Sequence, residues 1–369
     1  MLVFGILIAS ALVIWVDAGS WSVAVSAVKR VQRNNTLRLS DVYGQALTNN
    51  NDLWYKGTVY VGTPPIPFTV LFDTGSSYFW LPKKGCKATG PKVRYCPNNL
   101  ELYDPDDSAT SQSTKVPFKL EYGTGSAKGF FYKDYLTFGG SLRFKKPIIF
   151  GAAEVIEHRD QGIMGLGSSV KLKDAGISVM HEAWRQKILD APIFTIHMRD
   201  CSHFVDDECH DAGMITFGGL DNHNCEKVEG YVNVDPKSSR WEFTMAQFQI
   251  GRSRVATNIK AISDSGTNRI TAPTETVNEI MKEIGAIPIK GGHVVKCDFD
   301  ATVTLKINGH QYTIPSHRML MNLHNNWCLV LLDSFDFNNQ WILGTPFTKT
   351  LCQIHNIEKR TIGFAKARN

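Results

Sequence analysis

The pattern of apolar and polar positions predicts a chain built mainly from short β-strands. Residues 58–61 and 68–72 are rich in β-branched and aromatic side chains, and the Gly-Thr-Pro-Pro turn between them predicts a β-hairpin. Residues 303–307 alternate between apolar and polar side chains, which is typical of a half-buried strand. Apolar residues recur at helical spacing in residues 178–189 and 274–284. The pattern therefore predicts a mainly β fold with few short helices.

One order of residue types occurs twice: an apolar strand, an aspartate, a small hydroxyl residue, a glycine and a second hydroxyl residue. The first and second aspartate loops are Asp73-Thr74-Gly75-Ser76 and Asp264-Ser265-Gly266-Thr267. A buried carboxylate is costly unless it is hydrogen-bonded or shares a proton, and hydroxyls and glycine N–H groups supply such bonds. One copy alone is typical of an ordinary turn after a strand. Two copies, one in each half of the chain, predict two carboxyl groups in one site.

The bulk composition is that of an ordinary globular protein. The 369 residues include 43% hydrophobic and 20% charged residues, and the formal net charge is +5. There is no Lys/Arg-rich block, so we expect no nucleic-acid partner. The length is sufficient for two lobes with their own cores.

The N-terminus carries a long apolar run. Residues 2–16 are uncharged and apolar, and the pattern predicts a signal peptide over residues 1–18, with cleavage after Ala18. This run is too short to span a bilayer comfortably, so we expect no membrane span in the mature chain. Residues 19–48 are polar and basic, which predicts a short pro-segment or a loosely held N-terminal arm with a glycan acceptor at Asn34.

Eight cysteines in a chain with a signal peptide predict disulfides rather than a metal site. Closeness in sequence predicts two local bridges, Cys86–Cys96 and Cys201–Cys209. A zinc cluster made by the second pair and its neighbouring histidines is the alternative interpretation. Secretion and the even number of cysteines favour the disulfide.

The two aspartate loops resemble the catalytic motifs of the pepsin-like aspartic proteases, and the resemblance extends from about Leu53 to the C-terminus. It implies a bilobal fold, in which two β-rich lobes are related by pseudo-two-fold symmetry, here at residues 49–225 and 226–369. It also implies an endopeptidase that cleaves proteins or peptides at acidic pH with a water activated by Asp73 and Asp264. No metal and no cofactor are implied. We expect a monomer that is secreted, with the lysosome as the alternative location.

The resemblance also implies roles for the residues around the two aspartates. Thr74 and Ser265 are expected to cross-link the two loops, while Ser76 and Thr267 lie beside the carboxyl groups. The residues expected to contact substrate are Gly75, Gly266, Thr267, Asn268 and the flap residues Tyr122, Gly123 and Thr124.

The flap is the glycine-rich hairpin that the pattern predicts around residues 119–132. Tyr122 matches the flap tyrosine of the family, and Trp80 matches the tryptophan that hydrogen-bonds to it. Its Gly-Thr-Gly sequence lacks the spacing and the following helix of a nucleotide-binding loop. The resemblance further suggests the disulfide Cys297–Cys328, which leaves Cys225 with Cys352.

Three residues around the second aspartate loop depart from the family pattern. Ser263 stands where an apolar residue is usual, Asn268 where a serine is usual, and Arg269 where an apolar residue is usual. These departures leave the preference for substrate side chains open.

Two other function classes are alternatives to the protease. A non-catalytic binding protein of the same fold usually loses an aspartate or its glycine, and both loops are intact here. A serine hydrolase using Ser76 or Ser265 would need a Gly-x-Ser-x-Gly motif and a partner histidine, which the sequence does not indicate.

Overall fold

The structure is a computed structural model that describes residues 43–50, 54–89, 94–96, 100–123, 125–157, 161–201, 209–323, 325–336 and 339–368. The predicted signal peptide, most of the predicted N-terminal arm and Asn34 lie outside the described residues. None of the helices in the described residues has the length and apolar character needed to cross a membrane.

The described residues fold mainly into strands, as the sequence pattern predicts. The first strands in chain order are β1 (Tyr43–Asn50), β2 (Trp54–Val61), β3 (Ile66–Asp73), β4 (Phe79–Thr89), β5 (Arg94–Tyr95), β6 (Gln112–Tyr122), β7 (Gly125–Asp134), β8 (Leu136–Phe138), β9 (Leu142–Arg143), β10 (Ile148–Glu157), β11 (Gly162–Gly165), β12 (Lys171–Leu172), β13 (Gly176–Ile177), β14 (Ile193–Met198) and β15 (Cys209–Phe217).

The strands of the second half are β16 (Gly230–Asn233), β17 (Glu242–Ile250), β18 (Ser253–Ser263), β19 (Ile270–Ala272), β20 (Ile287–Ile289), β21 (Gly292–Lys296), β22 (Val303–Ile307), β23 (His310–Ile314), β24 (Leu320–Asn322), β25 (Trp327–Val330), β26 (Leu332–Ser334), β27 (Trp341–Leu343), β28 (Leu351–Asn356) and β29 (Thr361–Lys366). The α-helices are α1 (Val179–Arg185), α2 (Thr274–Glu283), α3 (Ser316–Met319) and α4 (Thr345–Thr348), and a 3₁₀ turn covers Pro105–Asp107.

Helix α2 differs slightly from the sequence expectation. Thr274 is expected to be the N-cap, but the helix begins at Thr274 and Pro273 occupies the N-cap position. The Thr274 hydroxyl and N–H instead donate to the carboxylate of Asp336, at 2.6 and 2.9 Å. A neighbouring loop therefore satisfies an N–H group of the first turn, which the sequence pattern alone does not reveal.

The first aspartate loop follows β3, an outer strand of a three-strand unit whose members are β3, β11 and β4. Strand β3 pairs with β2 as the predicted hairpin and lies parallel to β11, which in turn pairs antiparallel with β4. The second half of β3 is buried as far as Asp73. An apolar, β-branched sequence suits such a strand because both of its faces are covered.

The second aspartate loop follows an equivalent unit in another sheet. Strand β18 lies parallel to β27, and β27 pairs antiparallel with β19. The glycine-containing segments 162–167 and 341–345, which the sequence repeats, thus provide the middle strand of each unit. The two halves of the chain place their aspartates in the same local topology.

The end of the chain returns to the first sheet. Strand β28 pairs with β14, and β29 pairs with both β28 and β16. The disulfide Cys225–Cys352 ties the start of the second half to β28. The boundary at residues 225 and 226 stays a prediction, because the sheet of the first half includes the last strands of the chain.

Four disulfides are present. Three of them join Cys86–Cys96, Cys201–Cys209 and Cys297–Cys328, which together with Cys225–Cys352 are the pairs given by the sequence analysis. Because Cys201 and Cys209 are bonded to each other, they are not the thiolate ligands that the alternative zinc interpretation requires.

Candidate active site

The structure brings the two aspartate loops together face to face. A Cβ built on Gly75 would lie 2.5 Å from Cγ of Asp264, and a Cβ built on Gly266 would collide with the carboxylate of Asp73. Each glycine therefore lies directly against the carboxyl group of the other loop. Only a residue without a side chain permits this approach.

Each carboxyl group accepts two hydrogen bonds from its own loop. Oδ1 of Asp73 accepts from the N–H of Gly75 at 2.8 Å, and Oδ2 accepts from the hydroxyl of Ser76 at 2.5 Å. These bonds fix both carboxylate oxygens and offset part of the cost of burial.

The second loop repeats this arrangement. Oδ1 of Asp264 accepts from the N–H of Gly266 at 2.8 Å, and Oδ2 accepts from the hydroxyl of Thr267 at 2.7 Å. Asp73 is 5% exposed and Asp264 is 8% exposed, so the two carboxyl groups are buried except for a small area open to solvent.

Thr74 and Ser265 cross-link the loops from beneath. Each hydroxyl accepts the backbone N–H of the other residue, at 3.0 and 2.9 Å. Each hydroxyl also donates to a carbonyl of the opposite strand: Thr74 to Ser263 at 2.9 Å, and Ser265 to Phe72 at 2.8 Å. The four bonds hold the two halves in register at the point where the carboxyl groups meet.

The glycine-containing segments support the loops from behind. The N–H of Leu166 donates to the carbonyl of Asp73 at 2.7 Å, and the N–H of Thr345 donates to the carbonyl of Thr267 at 2.8 Å. These backbone bonds limit the freedom of both loops and so pre-organise the carboxyl groups.

Burial and the neighbouring charge change the acidity of the pair. Removal of the Asp264 carboxyl group from water, together with the charge of Asp73 beside it, raises the pKa of Asp264 to about 7. A carboxyl group with this pKa is protonated under acidic conditions and can donate a hydrogen bond. The site therefore presents a carboxyl group that keeps its proton beside a second carboxyl group.

The carboxyl groups lie at the floor of a cleft of about 770 Å³. Gly75, Ser76, Gly266 and Thr267 line it together with Tyr122 and Gly123 of the flap. Other lining residues are Tyr78, Leu120, Lys171, Arg240, Ile262, Arg269, Asp333, Phe335 and Ile342. An open cleft of this size, with apolar walls and a few polar groups at its floor, suits an extended peptide.

The flap is the hairpin of strands β6 and β7, in which Tyr122 pairs with Gly125. The indole N–H of Trp80 donates to the Tyr122 hydroxyl at 2.8 Å, and Trp80 itself is fully buried. A Cβ built on Gly123 would lie 3.5 Å from Cζ of Phe335, so the flap reaches the opposite wall of the cleft. The flap residue Thr124 lies outside the described residues.

Asn268 is placed differently from the other predicted contact residues. It is half-buried, and among the described residues it is not one of those lining the cleft. Arg269, the next residue, does line it. A change of side chain at 269 is therefore better placed to alter substrate contacts than the change at 268.

Two residues of the site are not predicted from the sequence. Arg240 donates from Nε to the carbonyl of Gly75 at 3.2 Å and lines the cleft, although it is far from either motif in sequence. Gln353 accepts a hydrogen bond from the hydroxyl of Ser263, directly behind the second loop, and both side chains are fully buried. A polar residue inside the apolar run 351–354 is the sequence signal that points to Gln353.

Comparison with known proteins identifies the class. The sequence profile of the family described as eukaryotic aspartyl protease matches residues 54–367. Aspartic protease 1 of Caenorhabditis elegans is 30% identical, covering 86% of this chain and 83% of the relative. Aspartic protease 2 of Necator americanus is 27% identical, covering 95% and 92%, and cathepsin D of Rattus norvegicus is 27% identical, covering 92% and 87%.

The chain belongs to the eukaryotic aspartyl protease family. It has the mainly β, bilobal pepsin-like fold of that family and is an aspartic endopeptidase, an enzyme that acts on peptide substrates.

Proposed function

We propose that Asp73 and Asp264 are the catalytic pair, and that they activate a water for attack on an internal peptide bond under acidic conditions. The observation that carries this proposal is the mutual approach of the two aspartate loops, in which each glycine touches the opposite carboxyl group. Two carboxyl groups at this separation cannot both ionise without a large electrostatic cost. They share a proton, and this divides the roles of acid and base between them.

The chemistry follows from one charged and one neutral carboxyl group. The charged group removes a proton from the water as it attacks the peptide carbonyl, while the neutral group donates a proton to the carbonyl oxygen. A tetrahedral diol forms, and the roles are then exchanged as the amine takes up a proton and leaves. The raised pKa of Asp264 favours it as the initial proton donor, whereas the proton itself belongs to the coupled pair.

The hydrogen bonds of the loops would serve this chemistry by holding the oxygens still. Ser76 and Thr267 each occupy one carboxylate oxygen, and the cross-link through Thr74 and Ser265 sets the distance between the pair. A geometry fixed before substrate binds lowers the cost of reaching the transition state. Closure of the flap, positioned by Tyr122, would exclude bulk water from the reacting bond.

The remaining assignments are proposals that rest on the sequence. The residues before 49 would form a signal peptide and a short, weakly inhibitory pro-segment or N-terminal arm, whose last residues, 43–48, are held in the sheet by strand β1. The two lobes would divide near residue 225. A secreted monomer that processes protein substrates fits the N-terminal apolar run and the disulfides, with the lysosome as the alternative location.

Replacement of each aspartate by asparagine tests the proposal directly. Asp73→Asn and Asp264→Asn keep the shape of the side chain and remove a charge from a crowded site, so both variants should fold. Each should abolish cleavage of an unfolded protein, and the double variant should be little worse than either single one, because the pair works as one unit. Products are identified by mass spectrometry between pH 3 and 7.

Two results would contradict the proposed mechanism. If either variant keeps full activity, or if mature wild-type protein cleaves nothing over this range, the two-carboxylate mechanism is wrong. A peptide mimic with a hydroxyl group at the scissile carbon is the matched binding probe, since it imitates the diol. It should bind wild type tightly and both variants poorly.

A further inference from the structure

The wall of the cleft beside the second aspartate loop carries an ion pair. Nη1 of Arg269 lies 2.6 Å from Oδ2 of Asp333, and both residues line the cleft. Their side chains are 24% and 37% exposed, so the pair is partly shielded from water. Arg269 follows Thr267 by two residues, and Thr267 donates to the carboxylate of Asp264. The guanidinium group is therefore part of the substrate cleft and close along the chain to the reacting groups.

The hydrogen bonds of the pair are distributed unequally. Oδ2 of Asp333 accepts from Arg269, and Oδ1 accepts from the N–H of Ser334 at 2.8 Å, so both oxygens have a donor. In contrast, the two contacts of Arg269 within the described residues both use Nη1, which also donates to the carbonyl of Gly291 at 3.0 Å. Nε and Nη2 carry three further N–H groups, and neither nitrogen is among the buried, unpartnered atoms.

This arrangement offers a hydrogen-bond donor rather than an acceptor. Asp333 and Gly291 fix the guanidinium group at one nitrogen, which reduces the entropy lost when a ligand binds at the others. The free edge formed by Nε and Nη2 has the spacing that matches the two oxygens of a carboxylate. An aliphatic side chain placed against the same wall would instead leave these N–H groups without water or partner.

We propose that Arg269, held in place by Asp333, selects peptide substrates that carry a glutamate or aspartate side chain at the position facing this wall. The proposal rests on the peptide cleavage proposed above and adds to it a class of substrate. Arg269 acts here as a specificity residue that touches the substrate side chain and takes no part in the proton transfers.

The charged groups around Arg269 come from several elements. Asp333 on β26 neutralises part of its charge, while Lys290 and His293 flank the turn at Gly291 between β20 and β21. The catalytic pair contributes one negative charge at the floor of the cleft. Since guanidinium groups do not lose their proton in this pH range, a pH-dependent preference has to come mainly from the substrate carboxyl group, which ionises near pH 4.3.

The test uses full-length mature enzyme and sets of quenched-fluorescence peptides that differ at one position only, as glutamate, glutamine or leucine. The position is moved through four residues on each side of the scissile bond, and kcat/KM is measured at pH 3 and pH 5.5. At one position, glutamate should exceed glutamine by about tenfold at pH 5.5, which is the size expected for hydrogen bonds to a charged group. At pH 3 the ratio should fall to about one, because glutamate is then protonated.

Variants test whether Arg269 causes the glutamate-to-glutamine ratio. Arg269→Met should reduce the glutamate-to-glutamine ratio to about one at both pH values while cleavage of the glutamine peptide continues. Arg269→Lys keeps the charge without the planar fork and should give an intermediate ratio. Arg199→Met is the matched control, because Arg199 pairs with an exposed carboxylate, Asp211, and is not one of the residues lining the cleft. It should keep the wild-type ratio.

The outcomes separate this inference from the proposed function. A wild-type ratio near one at every position and both pH values overturns the selection by Arg269 while leaving peptide cleavage intact. A tenfold ratio that survives in Arg269→Met also overturns it, since another group must then bind the carboxylate. If even the glutamine and leucine peptides are not cleaved, the proposed function fails and this inference fails with it.

Discussion

The two aspartate loops make the same hydrogen bonds in different surroundings. In both, a glycine N–H and a hydroxyl bind the aspartate, and a hydroxyl crosses to the opposite strand. The residue before the aspartate is different: Phe72 packs in the apolar core, whereas Ser263 donates to the buried side chain of Gln353. The cleft walls differ as well, since the flap belongs to the first half and the Arg269–Asp333 pair to the second.

This contrast separates what the chemistry needs from what can vary. The symmetric bonds set the positions of the two carboxyl groups, and they are local to each loop. We expect the asymmetric surroundings to determine which substrate side chains fit, how the flap closes and how stable each half is. Changes to the symmetric part should therefore affect both loops alike, and changes to the surroundings should affect one side only.

The largest effect is expected when a methyl group is placed between the loops. Gly75→Ala and Gly266→Ala would each insert a Cβ against the opposite carboxyl group, at 2.5 Å or less. Because a misplacement of about 1 Å costs about 100-fold, each variant should lose on the order of 1,000-fold in kcat/KM. If only one of the two variants loses activity, the two loops are not equivalent. Gly85→Ala is the control, since nothing lies within 4 Å of a Cβ there; its φ of +79° makes this variant less stable, but the kcat/KM of the folded enzyme should not change.

The second prediction concerns stability against pH. The pKa of Asp264 is raised to about 7 from 3.8, so between these values the folded protein holds a proton that the unfolded chain releases. Stability contributed by this group is thus complete below about pH 4 and is lost as pH rises towards 7. Relative to Asp264→Asn, wild type should lose about 4 kcal/mol over this interval, measured by denaturant unfolding.

Two further observations sharpen this measurement. Burial is the larger cause of the shift, so Asp73→Asn should reduce the pH dependence without removing it. Burial also lowers the pKa of His355 from 6.5 to about 3, which makes stability fall as pH drops through that range. This opposite slope is common to all three proteins and cancels in the difference. A wild-type curve parallel to that of Asp264→Asn would contradict the raised pKa.

The third prediction concerns the asymmetry of the walls. Tyr122→Ala removes the flap side chain that Trp80 holds, and should lower kcat/KM by about 100-fold with little change in folding. Phe335→Ala on the facing wall removes an aromatic side chain from the cleft and should cost about tenfold. The same assay measures both variants. Equal losses would show that the flap tyrosine is only one more apolar contact.

Local sequence was sufficient to predict the strands that carry the aspartates and the residues that bind them. These features depend on runs of apolar side chains and on residues within three positions of each aspartate, as in the bond from Ser76 to Asp73. The mainly β, bilobal fold follows from the family resemblance that the same motifs carry. Helix α1 is shorter than the helix predicted over residues 178–189. Only Val179–Arg185 is helical, although the apolar spacing continues to residue 188.

Contacts between distant segments could not be predicted in this way. Arg240 reaches Gly75 across 165 residues, and Ser263 meets Gln353 across 90. A polar residue inside an apolar run marks Gln353, but neither contact can be predicted locally, because the partner is determined by how the sheets pack. The free nitrogens of Arg269 are a further example, since they become apparent only when both oxygens of Asp333 are seen to be occupied.

The smallest effect is expected behind the second loop, at the residue that has no polar equivalent in the first. Ser263→Ala removes the donor to Gln353 and leaves a fully buried amide oxygen without a hydrogen bond, which should cost about 1–2 kcal/mol of unfolding free energy. Adding Gln353→Leu removes the stranded oxygen as well, so the double variant should be more stable than Ser263→Ala alone. Urea unfolding at pH 5 gives the unfolding free energy of wild type, Ser263→Ala and the double variant. Unchanged m-values would show that only stability has changed.

Activity should fall by less than about threefold, because the hydrogen bonds of Asp264 come from Gly266 and Thr267 and are untouched. If the double variant is instead the least stable of the set, the pair stabilises the second half beyond its hydrogen bond. The polar contact behind Asp264 would then be a structural requirement of this loop rather than a tolerated departure from the apolar pattern of the first.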